Sequence, residues 1–178
     1  MNLLDYISVL ITEEQLKKRV CDLALQISED YEEKHPVIVS ILKGALYFSA
    51  DLTREISVPL NIDFLSIGVY PEITKQTGIV RITKDIDINI TGRHVLLVDD
   101  TIGTGLTLSY LYQHLENRKP SSLAICSLLD NPDTRLVNLP VKYTGFSIKD
   151  YNLVGYGIDY REEFRHLKYI AKINSAYF

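Results

Sequence analysis

Cysteine is scarce in this sequence: the only two among 178 residues, Cys21 and Cys126, lie far apart without metal-type spacing. That excludes a disulfide framework or a thiolate metal cluster, and it favours two reduced thiols in a core. Positive charge is not in excess either. Nineteen Lys and Arg stand against 23 Asp and Glu, a net charge of −4, so the chain has no footprint for nucleic acid or an anionic membrane. No stretch approaches the 18 or so apolar residues that a membrane helix needs. Gly/Ser/Pro-rich linkers and internal repeats are lacking, and the four histidines show no catalytic spacing. Met1-Asn2-Leu3-Leu4-Asp5 has neither a basic segment nor a sustained apolar run, unlike a secretory signal. The expectation is one domain over 1–178, located in the cytoplasm.

What is present is ordinary for a globular domain: 46% hydrophobic and 24% charged residues. A chain of this length buries roughly 70% of its unfolded surface and needs no staples. Thr12-Glu13-Glu14-Gln15 is a capping-box pattern, followed by Leu16, Val20, Leu23 and Ile27 on one helical face. This helix ends before Pro36, which disfavours helical backbone at His35. Val37–Leu42 then reads as a strand buried on both faces. A helical pattern follows Lys43-Gly44 to about Ile56, and Asn61–Ile67 alternates like a strand. Residues 68–92 are polar and irregular, with a strand near Ile79–Thr83, and read as a mobile lid or binding loop. Val95–Val98 is another buried strand, leading through a Gly/Thr turn into a helix over 107–116. Further strands are predicted at 122–129, 141–147, 153–157 and 168–173. Strand–helix alternation with doubly buried runs implies an α/β domain whose mainly parallel, Rossmann-like sheet is flanked by helices. The C-terminal extension, about 168–178, is expected on the core as an edge or small cap.

The densest chemistry lies where Val95-Leu96-Leu97-Val98 runs into Asp99-Asp100, then Thr101-Ile102-Gly103-Thr104-Gly105-Leu106-Thr107. A helix N-terminus exposes unpaired amides and the positive end of the macrodipole. Gly103 and Gly105 let the backbone curl round an anion, and the threonines add hydroxyl donors. The segment suits a phosphate monoester. Carboxylates at the end of such a strand repel phosphate, so they suit vicinal hydroxyls or Mg²⁺. Ribose 5-phosphate satisfies both halves. The bland alternative is an ordinary strand-to-helix turn capped by Asp.

These residues resemble the ribose-phosphate loop of type I phosphoribosyltransferases. Over about residues 5–173 the chain resembles the hypoxanthine–guanine phosphoribosyltransferases. The further matches are Ile41-Leu42-Lys43-Gly44-Ala45, Leu106–Leu111, Ser127–Asp130, Tyr143–Ile148, Leu153–Tyr160 and Phe164–Leu167. The resemblance implies a type I fold with a small hood and Mg²⁺-dependent transfer of ribose 5-phosphate from phosphoribosyl pyrophosphate to a 6-oxopurine, hypoxanthine or guanine. It implies a homodimer or homotetramer. Lys43, Gly44 and Arg165 would meet pyrophosphate, with an unusual, often cis, backbone at the Gly44 loop. Asp99, Asp100, Thr101, Ile102, Gly103, Thr104, Gly105, Leu106 and Thr107 would hold ribose phosphate. Asp99, Asp100 and Asp159 would hold the metal, and Tyr70 would lie in the closing loop.

Three departures concern the base half of the site. Gly103 stands where the family has its aspartate base, so the catalytic residue is unassigned. Asn152 stands where an aromatic stacks on the purine, and Pro140 at the expected place of the purine-reading lysine. Lys142 shares the strand face of Pro140 about 6.6 Å further along and is a candidate substitute. Tyr151, one residue from Asn152, falls on the opposite face. The base-binding set is thus Lys142, Asn152, Leu153 and Asp159. Lys43 as a solvated lysine and Arg165 as a surface ion-pair partner stay open as alternatives. So do transfer to another nitrogen heterocycle and a non-catalytic nucleotide sensor.

Overall fold

The computed structural model describes residues 6–70, 79–150 and 152–174. Strand β1 (Ile7–Ile11) precedes α1 (Glu13–Asp30), β2 (Val37–Leu42), α2 (Leu46–Glu55), β3 (Asn61–Tyr70) and β4 (Ile79–Lys84). Then come β5 (His94–Ile102), α3 (Leu106–Glu116), β6 (Ser122–Asp130), β7 (Val141–Ser147), β8 (Leu153–Val154) and β9 (Ile170–Ile173). Six strands form one sheet in the order β4-β3-β2-β5-β6-β7, and β1-β9-β8 form a second, smaller one. Pairings of β2 with β3 and β5, of β5 with β6, and of β6 with β7 are parallel, whereas β4 runs antiparallel on the edge. This is the α/β architecture that the alternation of elements predicts.

Strand periodicity explains the layers. Val37, Val39, Ile41, Val95 and Leu97 project to the face covered by α3 with Leu108, Leu111 and Leu115. Ile38, Leu96, Val98, Cys126 and Leu128 project to the other face, packed against Leu16, Val20, Leu23 and Ile27 of α1 and Phe48 and Leu52 of α2. The capping box forms as its pattern predicts: the Thr12 side chain accepts from the Gln15 amide, and the Gln15 side chain accepts from the Thr12 amide. Both cysteines are free thiols, but only Cys126 is in the core; Cys21 is exposed because position 21 falls off the buried stripe of α1.

The segment 68–92 departs from the expected irregular loop. Residues up to Tyr70 continue β3, and they pair antiparallel with β4 in a hairpin, Gly68 opposite Arg81 and Val69 opposite Val80. The Tyr70 side chain and residues 71–78 lie outside the described residues. The base of the hairpin is held by Asp63, whose buried carboxylate accepts from the amides of Phe64, Asp87 and Ile88 at 2.7, 2.7 and 2.8 Å. At the C-terminus, β9 pairs with β1 and β8, so this segment belongs to the small sheet rather than lying on the main one.

Asp63 yields a stability prediction. Burial pushes its carboxyl upward, but the three amides and Lys84 outweigh that and leave it below its ordinary 3.8. A depressed carboxyl stabilises the fold above the unfolded pKa and loses that contribution as pH falls through the folded one. Asp63→Asn should therefore cost about 2 kcal/mol at pH 7. The gap to wild type should close below about pH 4 in denaturant titrations, since only the wild-type side chain titrates there.

Candidate active site

Every parallel strand delivers its carboxyl end to the same edge of the sheet, where open α/β folds bind ligands. The first group placed there is the acid pair. Asp99 and Asp100 end the buried run of β5, and the Asp100 amide donates to the Asp99 carboxylate at 3.0 Å. Burial, reinforced by the neighbouring Asp100 charge, holds the Asp99 carboxyl well above the usual carboxylate range. Burial raises Asp100 as well, with Arg165 pulling the other way. Two like charges this close favour a ligand that brings donors or positive charge.

Beyond the pair the chain turns into α3. Gly105 occupies the N-cap at φ +78°, and a side chain there would press on Leu139 and Val137. Because the cap is glycine, no cap side chain competes for the first-turn amides. Thr104 and Leu106 are exposed, Thr107 is half-buried, and the Ile102 side chain is core. Ile102 therefore contributes backbone to the loop and no side chain to a ligand.

Opposite the acid pair stands the turn after β2. The Leu42–Lys43 peptide is cis. A Cβ on Gly44 would lie 2.5 Å from the Asp100 carboxylate, and one on Gly157 would lie 1.9 Å from the Gly44 carbonyl oxygen. These close approaches bind the 157–165 strap against the turn. Arg165 donates to the Gly157 carbonyl at 2.8 Å and pairs with Asp159 at 2.8 Å and Glu162 at 3.3 Å. Lys43 pairs with Glu162 at 2.7 Å. Asp159 also accepts from the Glu162 amide at 2.8 Å. Lys43, Gly44, Asp99, Asp100, Asp159 and Arg165 thus line one cavity of about 470 Å³, with Thr101, Thr107, Ser66 and Ile67 on its remaining walls.

A second cavity of about 240 Å³ shares Asp100 and Thr101 with the first. Gly103, Asn131, Thr134, Ile148, Asp150, Asn152, Leu153 and Ile158 line the rest of it. Asn152 and Leu153 are therefore on the smaller cavity, as a base-binding role requires, whereas Asp159 lies on the larger one. Among the described residues no three His, Cys, Asp or Glu side chains converge to hold a metal, so Asp99, Asp100 and Asp159 form no ready-made cage.

Lys142 is elsewhere. Its ammonium pairs with Asp30 at 2.8 Å and lies over the Tyr31 and Tyr143 rings. The reason is strand polarity: β7 runs parallel to β6, so Pro140 and Lys142 sit at its amino end, across the sheet from the acid pair. The polar residue that does reach the smaller cavity at this level is Asn131, directly after β6. Sequence reasoning missed it, and a lone polar residue following an apolar strand offers little local signal. Tyr151 lies outside the described residues.

The geometry can be set beside known proteins. Residues 10–161 match the phosphoribosyl transferase domain. The hypoxanthine phosphoribosyltransferase of Salmonella typhimurium is 44% identical over 169 residues, covering 94% of this chain and 95% of that protein. The hypoxanthine-guanine phosphoribosyltransferase of Mycobacterium tuberculosis is 42% identical over 176 residues, covering 96% and 87%. A crystal structure of the Staphylococcus aureus hypoxanthine phosphoribosyltransferase superposes with a TM-score of 0.91 at 40% identity, over 98% of this chain and 95% of the other. The chain belongs to the phosphoribosyltransferases and, within them, to the hypoxanthine–guanine phosphoribosyltransferase family.

Two substitutions separate the site from its surroundings. Thr104→Val keeps shape but removes a donor to a charged phosphate, and should cost about 1.5–3 kcal/mol in 5′-monophosphate affinity by calorimetry, with an unchanged melting temperature. Lys142→Ala should leave that affinity unchanged and lower stability slightly, because it breaks only the contact to Asp30 and the rings.

Proposed function

We propose that this enzyme transfers ribose 5-phosphate from phosphoribosyl pyrophosphate to a 6-oxopurine, hypoxanthine or guanine, releasing pyrophosphate. The observation that carries this reading is that two adjoining cavities meet at the acid pair, with Asp100 lining both and Asp99 the larger. One cavity brings Lys43, Arg165 and glycine backbone together with the acids Asp99, Asp100, Asp159 and Glu162, a mixed lining that suits a diphosphate accompanied by Mg²⁺, and the other is small and largely apolar, fit for a flat base. The relatives named hypoxanthine and hypoxanthine-guanine phosphoribosyltransferase support the choice of acceptor. The first-turn amides of α3, with Thr104 and Thr107, hold the 5′-phosphate. Asp99 and Asp100 accept from the ribose hydroxyls, which supplies donors to carboxyls that burial has raised. Lys43, the Gly44 amide and Arg165 bind the leaving diphosphate, and their charges stabilise it as negative charge develops.

The donor set fits Mg²⁺, which is commonly held by one or two carboxylates together with substrate oxygens rather than by an all-protein cage. Asp99, Asp100 and Asp159 are the residues to supply such carboxylates, and the ion would neutralise diphosphate charge. Bond formation to the purine nitrogen releases a ring proton. With glycine at 103 no carboxylate stands there to accept it, and the proton goes to water. The strap and small sheet limit access of water to the reacting carbon. The chain works in the cytoplasm as a homodimer or homotetramer, with phosphoribosyl pyrophosphate and a purine as its partners. Nucleic acid and membrane play no part.

Two measurements test this. Phosphoribosyl pyrophosphate with Mg²⁺ should raise the melting temperature, since a ligand of the native state stabilises it; absence of donor binding by calorimetry, with or without a purine monophosphate, refutes the enzyme reading. Gly103 has open space round it and no left-handed φ, so a side chain fits. Gly103→Asp should raise kcat on hypoxanthine at least about tenfold, within the range for a positioned base. Wild-type turnover should rise with pH as the free purine ionises. Intact monophosphate affinity with no gain in kcat would reject the missing-base account.

A further inference from the structure

The acceptor cavity contains a polar group that the fold leaves unserved. Asn131 is buried, only 5% exposed, and its Oδ1 has no hydrogen-bond partner. A buried amide oxygen without a donor costs free energy and calls for a ligand. Its position is set by register. Ile102 of β5 pairs with Asp130 of β6, and Asp130 pairs with Ser147 of β7. Gly103, Asn131 and Ile148 are therefore neighbours just beyond three adjacent strand ends, and all three line the smaller cavity.

The backbone of Asn131 is held on both sides: its amide donates to the Ile102 carbonyl at 2.9 Å, and its carbonyl accepts from the Thr134 hydroxyl at 3.1 Å. The adjoining Asp130–Arg135 ion pair fixes the turn. Ile148, Leu153 and Ile158 give the cavity aliphatic walls. Gly103 brings no charge. Asp100, Thr101, Thr134, Asp150 and Asn152 also line the cavity, but among its described residues only Asn131 has a buried side-chain atom left without a partner, so a flat heterocycle held there would find its unserved polar contact in a neutral carboxamide.

Resting on the reading that this cavity takes the purine, we propose that Asn131 selects the acceptor by its six-position edge, and that the pocket admits 6-aminopurines as well as 6-oxopurines. A carboxamide carries an acceptor and a donor side by side. Toward a 6-oxopurine, Oδ1 accepts from N1–H and the amide nitrogen donates to the 6-oxygen. Toward a 6-aminopurine, the amide turned over accepts from the 6-amino group and donates to the adjacent unprotonated ring nitrogen. A fixed cation at this place would reject the amino group; the carboxamide does not. For either acceptor the bond from the ribose carbon to the diphosphate oxygen breaks and the diphosphate leaves with its electron pair. The bond to the purine nitrogen forms, and one ring proton passes to water.

The experiment is calorimetry on the full chain with ribose 5-phosphate, inosine 5′-monophosphate and adenosine 5′-monophosphate, alongside an assay of adenine with phosphoribosyl pyrophosphate and Mg²⁺. In the wild type both nucleotides should bind at least about tenfold tighter than ribose 5-phosphate and within about tenfold of each other, and adenine should yield its monophosphate. Asn131→Leu should abolish the gain over ribose 5-phosphate for both nucleotides and leave ribose 5-phosphate itself unchanged. Asn131→Asp keeps the shape but loses the donor that meets the 6-oxygen of one nucleotide and the ring nitrogen of the other, so it should cut the gain over ribose 5-phosphate at least about tenfold for both. A purely structural asparagine would not move that gain. The proposal is overturned if the wild type binds the 6-amino nucleotide more than about a hundredfold less tightly than the 6-oxo one, or if neither variant alters the gain. Failure to bind ribose 5-phosphate and phosphoribosyl pyrophosphate would instead overturn the functional reading on which the proposal rests, and the proposal with it.

Discussion

Two adjacent carboxylates set at the end of a buried strand are the constraint around which this molecule is arranged. Asp99 and Asp100 follow four fully buried residues, and both carboxyls are raised by the burial that holds them. Charge placed so close, and so far from water, is costly unless a partner satisfies it. The protein supplies only part of that partner. Arg165 draws Asp100 down, while its own charge is already shared with Asp159 and Glu162. Asp100 lines both cavities and Asp99 the larger one, where a ligand that brings donors or positive charge can complete the arrangement.

The strap from Gly157 to Arg165 shows how packing serves this chemistry. It is the least regular part of the described chain, with Arg161, Glu162 and Phe164 all at positive φ. It is nevertheless held on the turn after β2 by the close backbone approach of Gly157 to Gly44 and by the Lys43–Glu162 ion pair. Short-range steric contact thus fixes the distance between cations that arise more than a hundred positions apart in sequence, Lys43 and Arg165. Positioning of this kind is what a reaction dominated by electrostatic stabilisation demands.

Much of this was legible in the sequence because the signals are local. The apolar runs at 37–42 and 95–98, the capping box at Thr12, and the Gly/Thr turn into α3 each state their structure within a few residues. The acid pair and phosphate loop could be read together for the same reason. What escaped reading depends on long-range pairing. Strand β1, with only its two ends buried, exists because it pairs with β9 at the other end of the chain. The length of the β3–β4 hairpin rests on Asp63 gathering amides from residues 64, 87 and 88. Lys142 was set on the wrong side because a strand's residues can be ordered from sequence while the end that faces the ligand depends on its direction in the sheet. Asn131 is the converse case: nothing in its neighbours distinguishes it until Ile102, Asp130 and Ser147 are brought level.

The glycines of this protein fall into two kinds, with a consequence for how the family varies. Gly44, Gly145 and Gly157 each meet another part of the chain so closely that a methyl group would collide with it, and these positions are closed to drift. Gly103 meets nothing and adopts no backbone reserved for glycine. Its presence at the loop is therefore a fact of history rather than of folding. Two of the four glycine codons lie a single base from an aspartate codon, so an ancestor or descendant carrying the acid is one point mutation away through a fully folded intermediate.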